Sequence, residues 1–274
     1  MDDDVLGVTS VDDELFVLLE RDENQVAVYD INDYQLLRHL NVPGFEPNAD
    51  SDMTSCVCRG PKRYKICLYM SESGYFNSYI HRYDLTSGGP NATSKWSVRG
   101  KPCGLSVTPR YTLLVTCRYW GEPDKLVELR ADNGEFVREI ELQRDTQYVQ
   151  HSIQLINYQF VVSHGDYFRD LHQVNVVGDD GEVTDSYGGQ HGSDKGQLAR
   201  PHHLALDKNG QFIFVADKRN DRVVLLSPTF QFVRYVIEEL KHPQRLYFHQ
   251  ATRRLFVGHR HGWGGSVTVI QLSE

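Results

Sequence analysis

The chain has 274 residues, enough for one large all-β domain or two ordinary ones, and enough to bury a full core without disulfide staples. Its 40% hydrophobic and 24% charged content is that of an ordinary globular protein, and a formal charge of −8 argues against indiscriminate attraction to nucleic acid or anionic lipid. No apolar run approaches the ~20 residues of a membrane-spanning helix, so no membrane partner is expected.

A two-strand figure recurs along the chain. It appears first as Leu15–Leu19 with Gln25–Asp30, then as Cys67–Met70 with Tyr79–Leu85, and again as Leu113–Thr116 with Lys125–Leu129. It returns as Phe160–Ser163 with Gln173–Val177, as Phe212–Ala216 with Arg222–Leu226, and last as Leu255–Gly258 with Ser266–Ile270. Short β-branched and aromatic runs punctuated by Gly, Asp, Asn and Pro read as antiparallel strands. An alternating segment precedes each copy, and in five copies an outer one follows, such as Phe136–Ile140 or Phe232–Val236. The anchors Gly7, Cys56, Gly104, His151, His203 and Arg245 fall at intervals of 42 to 52 residues, the period of propeller blades.

The expected fold is therefore all-β: a six-bladed β-propeller of four-stranded antiparallel blades, forming a single domain over 1–274. The blades are expected near 5–42, 52–98, 102–142, 147–187, 201–238 and 243–274. The last ends after its third strand, so it is expected to lack its outer strand or to borrow one from beyond this chain. That open edge, and the start at Met1-Asp2-Asp3-Asp4 without a signal-peptide pattern, lead us to expect a longer parent protein. Five cysteines in strand-like segments read as free buried thiols of a reducing, cytoplasmic compartment.

The fifth blade carries a more specific pattern. Ser186-Tyr187-Gly188-Gly189, Gly192, Gly196-Gln197-Leu198, Pro201 and Leu204-Ala205-Leu206-Asp207 lead into Phe214-Val215-Ala216-Asp217, Asn220 and Arg222-Val223-Val224. Over 186–236 this resembles the NHL repeat. The resemblance implies a six-bladed NHL propeller, a family with both protein-binding and RNA-binding members. A shared fold transfers no one member's function.

The loops between second and third strands repeat a composition that suits recognition. They hold Tyr75 and Phe76, then Arg118, Tyr119 and Trp120, then Tyr167, Phe168 and Arg169. Lys218 and Arg219 follow in blade five, and Arg260, His261 and Trp263 in blade six. Rigid aromatic anchors interleaved with arginine are the composition of binding hot spots. The alternative is that the rings cap the blade cores. Glu122, Asp124, Asp166 and Asp170 dilute the positive field, which suits a protein or peptide partner better than RNA. The first expectation is a non-enzymatic module binding a protein or peptide on this face, with no cofactor; RNA binding is the alternative.

A third reading rests on histidines. His151 and His202 begin consecutive inner strands at the channel mouth, a placement that resembles the zinc-holding histidines of peptidyl-α-hydroxyglycine lyases. In that resemblance they fill two ligand positions, and blade three offers Cys103 where a third histidine is missing. The plainer expectation is that these imidazoles are hydrogen-bonded within a polar channel. No Gly-x-Ser-x-Gly elbow or phosphate-cradling loop is present.

Overall fold

The computed structural model describes residues 4–20, 26–59, 64–87, 92–165, 170–261 and 264–273. Six sheets succeed one another along the chain, each built from strands in simple sequential order and antiparallel to its neighbours. Blade one spans Val5–Leu40, blade two Met53–Val98, blade three Lys101–Glu141, blade four Val149–Gln190 and blade five Pro201–Ile237. Blade six, Arg245–Gln271, has three strands where the others have four. The expected six-bladed propeller with an outer strand missing from its last blade is thus the observed fold.

Burial explains why the chain takes this form. An antiparallel strand with alternating residues has one apolar face to hide, and here each sheet hides both faces against its two neighbours. The core is accordingly a ring of six clusters, each lying between two adjacent blades. Between blades two and three, Cys58, Cys67, Tyr69 and Ile80 pack on Leu113, Val115, Cys117 and Val127. Between blades four and five, Val161, Val174 and Val176 meet Leu204, Val215 and Val224. All five cysteines are buried thiols in these layers.

The ring closes by side-chain packing of the last blade on the first. Phe256 of blade six, fully buried, sits in a cluster with Val5, Val8, Leu15, Val17 and Ile31 of blade one. Ser10 Oγ and Tyr247 Oη are hydrogen-bonded at 2.8 Å, and Arg254 Nη1 donates to the Ile31 carbonyl at 3.1 Å. Among the described residues no fourth strand covers the third strand of blade six, Gly264–Gln271.

The blade-five pattern acts as a structural staple. Arg222, 7% exposed, donates from Nε to Asp217 Oδ2 (2.8 Å), from Nη1 to the Ser193 carbonyl (2.7 Å) and from Nη2 to that of Gln197 (3.0 Å). Asn220 Nδ2 donates to Asp217 Oδ2 and to the Gly192 carbonyl, and Asp217 Oδ1 accepts from Ala199 N–H. The guanidinium also lies 4.4 Å from the centroid of Tyr235. One Asp-x-x-Asn-x-Arg set thereby ties the glycine-rich segment before the blade to its second strand, using the bidentate reach that lysine lacks.

Candidate functional site

The inner strands of blades one, three, four and five share a distortion at their entrance, and it builds the channel. In a regular strand successive side chains point to opposite faces. The pairing of first and second strands slips by one residue at Leu6, at Cys103, at Gln150 and across His202–His203. Each bulge lets two consecutive residues turn toward the axis. This is how blade five presents both His202 and His203 to the channel.

Just below the entrance the same hydrogen bond recurs between neighbouring blades. Asp52 Oδ2 accepts from Leu105 N–H (2.8 Å), His151 Nδ1 from Leu204 N–H (3.3 Å) and His203 Nδ1 from Leu246 N–H (3.3 Å). Across the axis, His203 Nε2 stands 3.3 Å and His151 Nε2 3.7 Å from Asp52 Oδ2. The two imidazoles stack with centroids 3.6 Å apart. Blade three contributes a glycine here for a steric reason: a Cβ on Gly104 would lie 2.9 Å from the His151 ring and 2.8 Å from the Gln150 carbonyl.

These bonds fix protonation. Nδ1 of both rings is an acceptor, so Nε2 carries the proton in each; His151 donates it to the Leu105 carbonyl (3.1 Å) and His203 to Asp52. Burial, then the neighbouring His203, holds His151 down to about 3, so it is neutral. Burial alone would raise the Asp52 carboxyl, but His203, Arg245 and His151 outweigh it and keep it ionised. Arg245, 2% exposed, faces Asp52 at 3.5 Å and donates to the carbonyls of Leu6, Ser51 and Gln244.

Asp52, His151 and His203 are the three potential ligands that the fold brings together, their ligand atoms within 4.8 Å of one another. The hydrogen-bond pattern opposes a metal there. An imidazole ligating through Nε2 must carry its proton on Nδ1 and donate it outward, whereas here main-chain N–H groups point at both Nδ1 atoms. The residues of the zinc reading do not assemble. His202 Nδ1 faces Arg245 and Gln244 rather than His151. The Cys103 thiol bonds the Thr116 and Val149 carbonyls, and burial pushes it up to about 12, away from the thiolate a metal needs. Sequence reading missed Asp52 because it precedes its strand, whose own alternation pointed to Cys56.

On the loop face three rings stand nearly fully in solvent: Tyr75 at 96%, Phe76 at 89% and Trp120 at 97% exposed. Tyr75 and Phe76 meet edge to face at 4.8 Å. Beside Trp120 opens a cleft of about 440 Å³ whose walls include Tyr119, Glu122, Arg144 and Tyr148. Arg144 and Glu122 have no hydrogen-bond or ion-pair partner among the described residues, so the cleft offers one charge of each sign.

The other residues expected on this face behave differently. Arg118 turns to the channel mouth, donating to the Val149 carbonyl and to Gln150 Oε1 and facing Asp50 at 3.5 Å. Tyr119 is half-buried and tied to the Arg99 carbonyl, and Lys218 is drawn to Gln244 Oε1 at 2.9 Å. Arg219 and Arg260 remain exposed, the latter 3.9 Å from Asp4. Tyr167, Phe168, Arg169, Trp263 and the His261 side chain lie outside the described residues.

No family model matches this chain, and no curated protein does. Solved structures do. The PQQ-bound aldose sugar dehydrogenase of Streptomyces coelicolor superposes with a TM-score of 0.68 at 13% identity, covering 99% of this chain and 94% of its own. Hydrazine synthase of Kuenenia stuttgartiensis gives 0.67 at 12%, covering 97% and 83%. Virginiamycin B lyase from Staphylococcus aureus gives 0.62 at 11%, covering 98% and 84%. Likeness at such identity shows the fold alone. It nevertheless corrects the expectation of a non-enzymatic module: these three propellers are enzymes, so neither the fold nor the lack of a familiar nucleophile motif sets catalysis aside. Among the described residues no helix is long and apolar enough to cross a membrane. By its fold the chain belongs with the six-bladed β-propellers.

Proposed function

We propose that this chain is an NHL-type recognition propeller that holds a peptide segment of a protein partner across the second-to-third-strand loops of blades two and three. The observation that carries the reading is the near-complete exposure of Tyr75, Phe76 and Trp120 on adjacent blades beside the Arg144–Glu122 cleft. Large apolar rings kept in water on rigid loops are costly in solution and valuable when a partner covers them. The charges favour protein over RNA. Arg118 and Lys101 are engaged by Asp50, and Arg222 is locked to Asp217, so these three cations are not free to line the basic groove that single strands require. The Asp217–Asn220–Arg222 staple supports the NHL assignment, and the buried free thiols fit a cytoplasmic setting.

The test is panning of a random peptide phage library against the chain. Enriched peptides should carry aromatic or aliphatic anchors with flanking charge, and Trp120→Ala should weaken them by about 2 kcal/mol, roughly 30-fold. Peptides indifferent to a combined Tyr75→Ala, Phe76→Ala and Trp120→Ala variant would refute the surface. A motif enriched from a random RNA pool at near-physiological salt would replace the protein partner with RNA.

A further inference from the structure

The channel mouth between blades five and six holds donor protons for which the described residues supply no acceptor. His202 is 8% exposed, and its Nδ1 lies 3.0 Å from Arg245 Nη1. The same Nδ1 also lies 3.0 Å from the Gln244 carbonyl, to which Arg245 Nη1 already donates at 2.8 Å; with the second Nη1 proton directed at the ring, we assign Nδ1 as the acceptor and the ring proton to Nε2. That Nε2–H has no partner among the described residues. Lys218 converges on the same anchor. Gln244 Nε2 donates to the Val5 carbonyl, which fixes the amide and leaves Oε1 to accept from Lys218 Nζ at 2.9 Å. Among the described residues Lys218 Nζ has no other hydrogen-bond partner, which leaves two of its three protons for a ligand.

The surrounding charge points the same way. Arg200, Arg245 and Arg219 act on Lys218 from its neighbouring segments, and Asp4 is the acidic group opposing them. Asp4 is not hydrogen-bonded to Lys218 and lies 3.9 Å from Arg260. Asp52, the other nearby carboxylate, is engaged by Arg245 and His203. Burial, reinforced by Arg200 and Arg245, brings Lys218 down to about 7, whereas His202 is kept neutral by burial and by Lys218 itself. Buried and half-buried donors with protons left over, in a net positive field, form a site complementary to an anion.

We propose that this mouth binds a small oxyanion, a carboxylate or phosphate group, held by Lys218 Nζ and His202 Nε2 with Arg200 supplying charge. The site stands independently of the peptide reading, since none of its groups lies in the aromatic cleft. An anion seated against Lys218 stabilises the ammonium and raises its pKa. At a pH below both values, each unit of rise lowers the free-amine fraction about tenfold.

Reductive methylation at about pH 6, followed by peptide mapping, reads that fraction. Inorganic phosphate or acetate should slow modification of Lys218 about tenfold in a saturable manner, relative to chloride at equal ionic strength, while the other lysines are unchanged. Protection by phosphate alone assigns a phosphate site, by acetate alone a carboxylate site, and by both a site that reads charge and donor geometry. His202→Gln and His202→Phe keep the reporter lysine and should lose most of the protection. Equal rates in phosphate, acetate and chloride with the unmodified protein overturn the proposal, as does undiminished protection in a folded His202 variant.

Discussion

Acidification should unfold this protein more steeply than its surface charge accounts for, because several imidazoles are buried neutral. Burial holds His151 down to about 3 and His164 to about 4, and it lowers His202 well below the ordinary histidine value. In the unfolded chain the same rings take up a proton near pH ~6.5. Below that pH the unfolded state therefore binds protons that the native state does not, so stability falls as pH falls. It recovers as pH rises through the same window. Each such group contributes a slope of about 1.4 kcal/mol per pH unit, and three together about 4 kcal/mol per unit. A domain stable by roughly 5–15 kcal/mol would lose that margin within about one to four pH units. Asp124 and Asp217, both raised by burial, act with the opposite sign, so the informative quantity is a difference between proteins. Urea titrations at fixed ionic strength from about pH 7 to 5 supply it. His151→Gln should flatten the slope by roughly one group's worth, and adding His202→Gln by about another. A slope that neither substitution alters would refute the neutral, buried assignment of these rings.

Other substitutions test the staples and the recognition face separately. Asp52→Ala should cost about 3–5 kcal/mol in chemical unfolding, because it leaves Arg245 buried without its carboxylate and the N–H groups of Leu105 and Met53 without an acceptor. Asp52→Asn, which retains an acceptor, should cost less. Arg222→Lys should lose about 2 kcal/mol or more in thermal unfolding, since an ammonium cannot span Asp217 and the Ser193 and Gln197 carbonyls at once. Trp120→Ala and Tyr75→Ala should move stability by no more than about 0.5 kcal/mol, because both rings are in solvent; a larger loss would mark them as packing residues. Between about pH 7 and 10, Lys218 should add stability as pH rises, since its native value near 7 lies below the unfolded ~10.4; Lys218→Met should abolish that increment.

The propeller was legible in the sequence because its cause is local and repeated. Period-2 alternation, turn residues at each strand end and a recurrence of 42 to 52 residues all act within one blade, and six copies of the same solution leave little choice of topology. The three-stranded last blade could be read the same way, from the absence of an outer segment after Ile270. The Asp217–Asn220–Arg222 set was visible as a pattern, and its structural role follows from a short-range network. The axis was not legible. A bulge shifts which residue faces inward by one position, and alternation alone cannot register it. For that reason Asp52, which precedes its strand, went unseen, and His203 rather than His202 joins His151.

The destinations of charged side chains were likewise set by distance in space. Arg118 and Lys218 were expected outside on the loops, yet Gln150 and Gln244, 32 and 26 residues away, draw them to the channel mouth. Hydrogen-bond partners from neighbouring blades decide such orientations, and only ring closure brings those blades side by side. What the sequence by itself determined is the repeating unit and the hydrophobic faces that make the units stack. Which polar groups meet at the axis, and which rings stay in water at the rim, is a property of the closed ring.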